Sequence, residues 1–133
     1  MFVDASALTA ILAGEPDAPA LVARLQQARQ RLSSPLAVWE TTIALARILD
    51  LTLPEAQQAV RDYLALASIQ VVAVSPKAAD GAIEAFDRFG QGRHPAGLNF
   101  GDCFAYACAR LRNLPLLFVG NDFSQTDIAT TMA

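Results

Sequence analysis

The sequence contains one lysine, one histidine and two cysteines, and each shortage closes a class of chemistry. Cys103 and Cys108 lie five apart in one predicted helix, a separation that points their side chains apart and matches no zinc spacing. Both read as core packing, and His94 reads as a loop residue. Nine of the ten basic residues are arginine, and the net charge is −3. No global positive field is available, so any phosphate contact must be local, and arginine is the side chain suited to bidentate contacts of that kind. No apolar run approaches the roughly 18 residues of a spanning helix. The opening "MFVDASALTAILAGEP" has an acid at position 4 and no basic residue before its apolar run, so it does not read as a secretory signal. The expectation is a soluble cytoplasmic protein with no membrane partner. Repeats, linkers and low-complexity stretches are also missing, which makes residues 1–133 a single domain.

What is present is apolar. Hydrophobic residues make up 53% of the chain and charged residues 17%, which excludes a disordered tail and allows a sizeable core. The fraction is high for a domain of this size, favouring a second apolar surface for self-association or a partner helix.

Periodicity orders the elements. "MFV" is a short strand cut off by Asp4, and a helix follows until Gly14 and Pro16 break it. From Asp17 to Leu32, apolar residues at Leu21, Val22, Leu25, Ala28 and Leu32 keep helical spacing, and "RLSS" allows a brief strand before Pro35. "LAVWETTIALARIL" is apolar on nearly all sides, which predicts a helix buried mid-domain. A helix from Leu53-Pro54 has Ala56, Val60, Tyr63, Leu64 and Ala67 on one face. "IQVVAV" is β-branched and short, hence a strand. The next helix runs from Pro76 to about Phe89, with Ala79, Ile83, Phe86 and Phe89 inward. A Gly/Pro loop, another helix, the strand "LPLLFVG" and a turn with a short helix complete the chain. Strands separated by helices imply an α/β fold: a parallel sheet covered on both faces, with right-handed crossovers.

In open parallel sheets, ligands bind beyond the carboxyl ends of the strands. Asp4 follows the first strand, Asp122 follows the last by three residues, and Glu40 lies about two turns into the helix after the second. Asp102 needs a check of reach. The helix before it runs back roughly 21 Å, and the loop from Gly90 to Leu98 can extend about 30 Å, so Asp102 can return to the same edge. Each acid also has a plainer reading. Asp4 can cap the helix it precedes; Asn99 with Asp102, and Ser124 with Asp127, have capping-box spacing; Asp122 can belong to a turn. Glu40 is too deep in its helix to cap, and a carboxylate among Val38, Trp39, Ile43 and Leu45 is costly without a compensating cation or donor. Gathered at one rim, the acids would raise one another's pKa values. Mg²⁺, or Mn²⁺ in its place, resolves that conflict with oxygen ligands.

"FVDASAL", "VWE", "HPAGLNFGDCFAYA" and "PLLFVGNDFSQTDI" together resemble the PIN-domain ribonucleases, specifically the VapC-type toxins of bacterial toxin–antitoxin modules. The resemblance covers essentially the whole chain, and the last two segments are the most specific. It implies a three-layer α/β/α sandwich, homodimerisation, Mg²⁺-dependent cleavage of RNA, and inhibition by a cognate antitoxin. It maps the acidic cluster onto Asp4, Glu40, Asp102 and the Asp122 region, with Ser6 beside the first acid and Asn99 beside the third. Many relatives carry two acids in the turn that here reads "GND". Asn121 therefore replaces a possible ligand, leaving the fourth position open between Asp122, Asp127 and a water-mediated contact.

The inventory agrees with a metal route on its own terms. Cutting RNA through its 2′-hydroxyl usually takes a general acid and base, often two histidines, and this chain has one. Metal ions can instead activate water and neutralise charge on phosphorus and the leaving oxygen. Asp4 and Asp102 are expected to hold the main ion, Glu40 to orient a water or serve a second ion, and Asp122 to complete the shell. The products would carry 5′-phosphate and 3′-hydroxyl ends. Arg93, Arg110 and Arg112 are candidates for phosphate contacts. The competing reading is a PIN-like module that binds RNA or protein without cutting. A haloacid-dehalogenase-like phosphatase would want a second acid two residues after Asp4, where Ser6 stands.

Overall fold

The computed structural model describes residues 1–129. Four short strands, β1 (Phe2–Val3), β2 (Leu32–Ser33), β3 (Gln70–Val71) and β4 (Leu116–Leu117), form one parallel sheet in the order β3-β2-β1-β4. Phe2 pairs with both Leu32 and Leu116, so β1 is central. Strand side chains alternate between faces, and this splits the core in two. Phe2, Leu32 and Leu116 pack with α5 (Pro76–Phe89) and α6 (Phe100–Leu111). Val3 and Leu117 pack with α1 (Ala5–Ala13), α2 (Ala18–Gln27), α3 (Pro35–Ile48) and α4 (Leu53–Leu66). Helices therefore cover both faces, giving the expected three-layer α/β/α sandwich. Among the described residues no helix is long and apolar enough to cross a membrane.

Local chemistry sets the helix starts. Proline at the first turn opens α3, α4 and α5, where its missing N–H costs nothing. The Ser34 hydroxyl caps α3 through Ala37 N at 3.1 Å. Thr52 and Glu55 close a capping box on α4, and Asn99 and Asp102 close another on α6. Gly14 ends α1 in the left-handed region, at φ 70°, where glycine meets no Cβ penalty.

The helical spacing that runs on to Leu32 breaks earlier than expected, because α2 stops at Gln27 and Leu32 belongs to β2. α3 is not buried on all sides: only Ala37, Thr41 and Leu45 are buried, while Trp39 is 64% exposed. It lies between α1 and α4 at the flank of a narrow sheet, so one face is left to solvent. α5 is rotated relative to expectation. Ala78, Ala82, Ala85 and Phe89 face the core, and Ile83 is 69% exposed. The small residues win because α5 packs extensively and closely on α6; a Cβ at Gly81 would stand 3.1 Å from Ala107 Cβ. Cys103 and Cys108 are both buried and unbridged, as packing residues should be.

Candidate active site

The chain order reverses beside β1. It steps outward from β1 to β2 to β3 and then returns to place β4 on the other side, creating the kind of switch point where open parallel sheets bind ligands. Asp4 stands at that edge. Its N–H donates to Leu117 O at 3.0 Å, extending the β1–β4 ladder by one residue. Its carboxylate caps α1, with Oδ2 accepting from Ser6 N at 3.0 Å and from Ser6 Oγ at 2.6 Å. Ser6 Oγ in turn accepts from Val119 N at 3.0 Å, tying the site to the segment after β4.

Asp102 arrives on the first turn of α6. Its N–H donates to Asn99 Oδ1 at 2.9 Å, and its Oδ2 accepts from Asn99 N at 3.1 Å. Capping and clustering were alternatives in the sequence; here Asp4 and Asp102 do both. Glu40, in the second turn of α3, is half-buried and lies against Gly101, the residue before Asp102. A Cβ built on Gly101 would meet Glu40 Cδ at 2.6 Å. Asp122 is exposed, immediately before the 3₁₀ turn Phe123–Gln125.

The four acids share one field. Burial raises the pKa of Asp4, opposed by the Ser6 bonds and reinforced by the charge of Asp122. Burial, then the charges of Asp4 and Asp102, push Glu40 up to about 7. Burial, opposed by the Asn99 N–H and reinforced by Asp4 and Asp122, pushes Asp102 up to about 6. None of the ion pairs among the described residues includes any of the four.

Asp127 is held elsewhere. Its carboxylate accepts from Tyr106 Oη, from Arg110 at 2.8 Å and from Arg88 at 3.1 Å. Burial, which acts to raise its pKa, is outweighed by those hydrogen bonds, and the group is held well below the usual carboxylate range. Asp127 therefore does not join the cluster, and it does not form a capping box with Ser124, which lies inside the 3₁₀ turn and donates its hydroxyl to Asn121 O while Asp127 is held by Tyr106, Arg110 and Arg88. Asn121 lies on the exposed turn and lends its carbonyl to Ser124 Oγ at 2.8 Å. Arg110 is committed to Asp127, and Arg93 pairs with Asp87 at 3.0 Å. Arg112 is exposed at the end of α6. His94 Nδ1 accepts from Ala96 N at 3.0 Å, a loop role.

Two features escaped the sequence reading. Gly101 makes room for the Glu40 carboxylate, and a glycine inside a helical pattern is its only trace. The Tyr106–Arg110 pair that grips Asp127 has i,i+4 spacing on α6, but its third partner on α5 has no sequence signal.

Among the described residues no three Asp, Glu, His or Cys side chains close into a ready ligand cage. The donor set nevertheless has a definite preference. It offers hard carboxylate oxygens, and its charges lack a cation. That suits an ion which keeps several waters, such as Mg²⁺ or Mn²⁺, and does not suit zinc.

A family model described as PIN domain matches residues 1–129. Ribonuclease VapC30 of Mycobacterium tuberculosis is 41% identical over 138 residues, covering 98% of this chain and 97% of the relative. Ribonuclease VapC of Mycolicibacterium smegmatis is 42% identical over 137 residues, covering 97% of this chain and 98% of the relative. Among solved structures, Mycobacterium tuberculosis VapC20, described as a Sarcin-Ricin loop cleaving toxin, superposes with a TM-score of 0.76 at 22% identity, covering 96% of this chain and 95% of that one. A toxin-antitoxin complex from Klebsiella pneumoniae superposes with a TM-score of 0.69 at 17% identity, covering 95% and 92%. The family match and relatives that run nearly end to end together mean that this chain belongs to the PIN-domain family.

Proposed function

We propose that the protein is a divalent-metal-dependent endoribonuclease, with Mg²⁺ as its ion, acting as the toxin of a toxin–antitoxin pair. The observation that carries the reading is the gathering of Asp4, Glu40, Asp102 and Asp122 at one sheet edge, where Asp4 feels the charge of Asp122, Glu40 those of Asp4 and Asp102, and Asp102 those of Asp4 and Asp122, and where no ion pair among the described residues offsets them. The relatives' printed names, ribonucleases of the VapC type, supply the substrate class.

Asp4, Asp102, Glu40 and Asp122 would hold the ion. Bound there, it supplies positive charge for the phosphate and the leaving oxygen and makes water easier to ionise. The protein's own groups do the rest. Ser6 and the first turn of α1 fix Asp4, and the Asn99 capping box fixes Asp102, so two carboxylates are oriented before substrate arrives. Glu40 holds its proton more tightly than an ordinary glutamate. That makes it the member suited to orient water toward phosphorus and accept its proton. Attack by water on phosphorus with cleavage of the P–O3′ bond, the departing 3′-oxygen taking up a proton, would leave 5′-phosphate and 3′-hydroxyl ends.

A partner surface accompanies the site. An open groove of about 450 Å³ between α5 and α6 is lined by Ala79, Ala82, Ile83, Phe86, Phe100, Cys103 and Phe104. Its apolar lining supports self-association as a homodimer or binding of an antitoxin segment.

The test is cleavage of RNA by the purified protein with Mg²⁺, with Mn²⁺ and with EDTA, followed by end analysis. Metal-dependent products with 5′-phosphates are expected. Cleavage that persists in EDTA, or 2′,3′-cyclic ends, would overturn the proposal.

A further inference from the structure

We infer that Gly101 is a positioning residue for Glu40: its missing side chain is the slot in which the Glu40 carboxylate lies, and so it fixes where that acid meets Asp102. The inference rests on the functional reading above.

Gly101 occupies the second position of α6, with Asp102 next to it. Glycine brings no helix-forming advantage there, since alanine is the better helix former. Its φ lies outside the left-handed region, so no backbone conformation demands glycine. What excludes a side chain is a neighbour. A Cβ would stand 2.6 Å from Glu40 Cδ and 2.6 Å from Oε2, and closer still to Oε1. The obstructing atoms are the far end of a flexible side chain and not backbone. Alanine can therefore fold, provided the carboxylate leaves its seat. Glu40 and Gly101 belong to different helices, α3 and α6, so the seat joins two separate elements of the site.

The experiment compares wild type, Gly101→Ala, Glu40→Asp and the double variant in three measurements: thermal melting without metal, Mn²⁺ binding without RNA, and RNA cleavage. If Gly101 only fills a helical position, alanine should melt at the same temperature or higher and change nothing else. If it seats Glu40, Gly101→Ala should stay folded, bind Mn²⁺ several-fold more weakly and lose about tenfold or more in kcat with KM little changed. Shortening the acid draws its carboxylate back from the new methyl. Glu40→Asp in the Gly101→Ala background should therefore lose less than the product of the two single losses. That non-additivity decides the matter even if Gly101→Ala proves less stable. A wild-type protein that cleaves RNA and binds Mn²⁺, matched by Gly101→Ala or with strictly multiplicative losses, overturns the inference alone. A wild type silent in both assays overturns the functional reading and this inference with it.

Discussion

Helix α6 carries one acid, Asp102, and holds another, Asp127 from the segment after the 3₁₀ turn, in opposite circumstances. Asp102 stands on its first turn, close to Asp4, Glu40 and Asp122, and its pKa is pushed up to about 6. At the other end, Tyr106 and Arg110 grip Asp127, with Arg88 from α5, and its pKa is driven down. One carboxylate is surrounded by its own sign and the other by donors. The second arrangement is what a fold does with an acid it uses for cohesion. Under the proposed function, the first is an arrangement kept for an ion that arrives from outside. The same helix thus serves assembly at one end and, under the proposed function, readiness at the other.

Substitution should separate the two most widely. Asp102→Asn is expected to reduce RNA cleavage by about a thousandfold or more, because a metal site contributes several kcal/mol to the transition state and each 1.36 kcal/mol is tenfold. Without metal its melting temperature should be unchanged or higher, since one repelling charge is gone. Asp127→Asn should do the reverse, leaving cleavage nearly intact. An Asp102→Asn variant that cleaves normally and melts lower would make Asp102 a cap and nothing more.

Metal should sharpen the contrast. Mg²⁺ at 100 times its dissociation constant would stabilise the wild type by about 2.7 kcal/mol, and Asp102→Asn should lose most of that shift while Asp127→Asn keeps it. A melt unaffected by Mg²⁺ and Mn²⁺ in the wild type counts against the site.

The pH dependence has opposite signs at the two ends. Glu40, raised from 4.5 to about 7, and Asp102, raised from 3.8 to about 6, bind protons in the folded state that the unfolded chain has already released. Their contribution to metal-free stability is therefore present at low pH and is lost as pH rises through those windows. Between pH 5 and 7.5 the metal-free protein should lose on the order of 1–2 kcal/mol, a value discounted from the bare shifts because both groups are only half-buried. Glu40→Gln should flatten that slope. Asp127, with its depressed pKa, contributes stability present above its ordinary value of 3.8 and lost below it. The smallest effect follows: Asp127→Asn should lower the melting temperature at pH 7 by only a few degrees, since its partners are half exposed.

The parts of this contrast differ in how legible they are in the sequence. Asp4 and Asp122 could be placed because strand ends are short-range signals, and Asp102 because loop reach is simple geometry. Glu40 stood out by its apolar neighbours, although Trp39 and Ile43 prove to be exposed, so the burial it feels comes largely from elsewhere. The inward face of α5 was misjudged for a physical reason: periodicity assigns the largest apolar residues to the core, whereas two helices in close approach need alanine between them. The grip on Asp127 was out of reach because Arg88 is 39 residues away, and nothing local links the two. The α/β order, by contrast, needed only the alternation of short runs, mostly apolar, with helical ones.

Ser6 gives the fold one more property. Its single hydroxyl hydrogen is committed to Asp4, and one of its oxygen lone pairs is taken by the Val119 amide. Under the proposed function, that hydroxyl therefore has no proton to offer a substrate. Removing the oxygen would loosen the first acid and unlatch the last strand's exit in the same stroke, which makes this small side chain the hinge pin between chemistry and architecture.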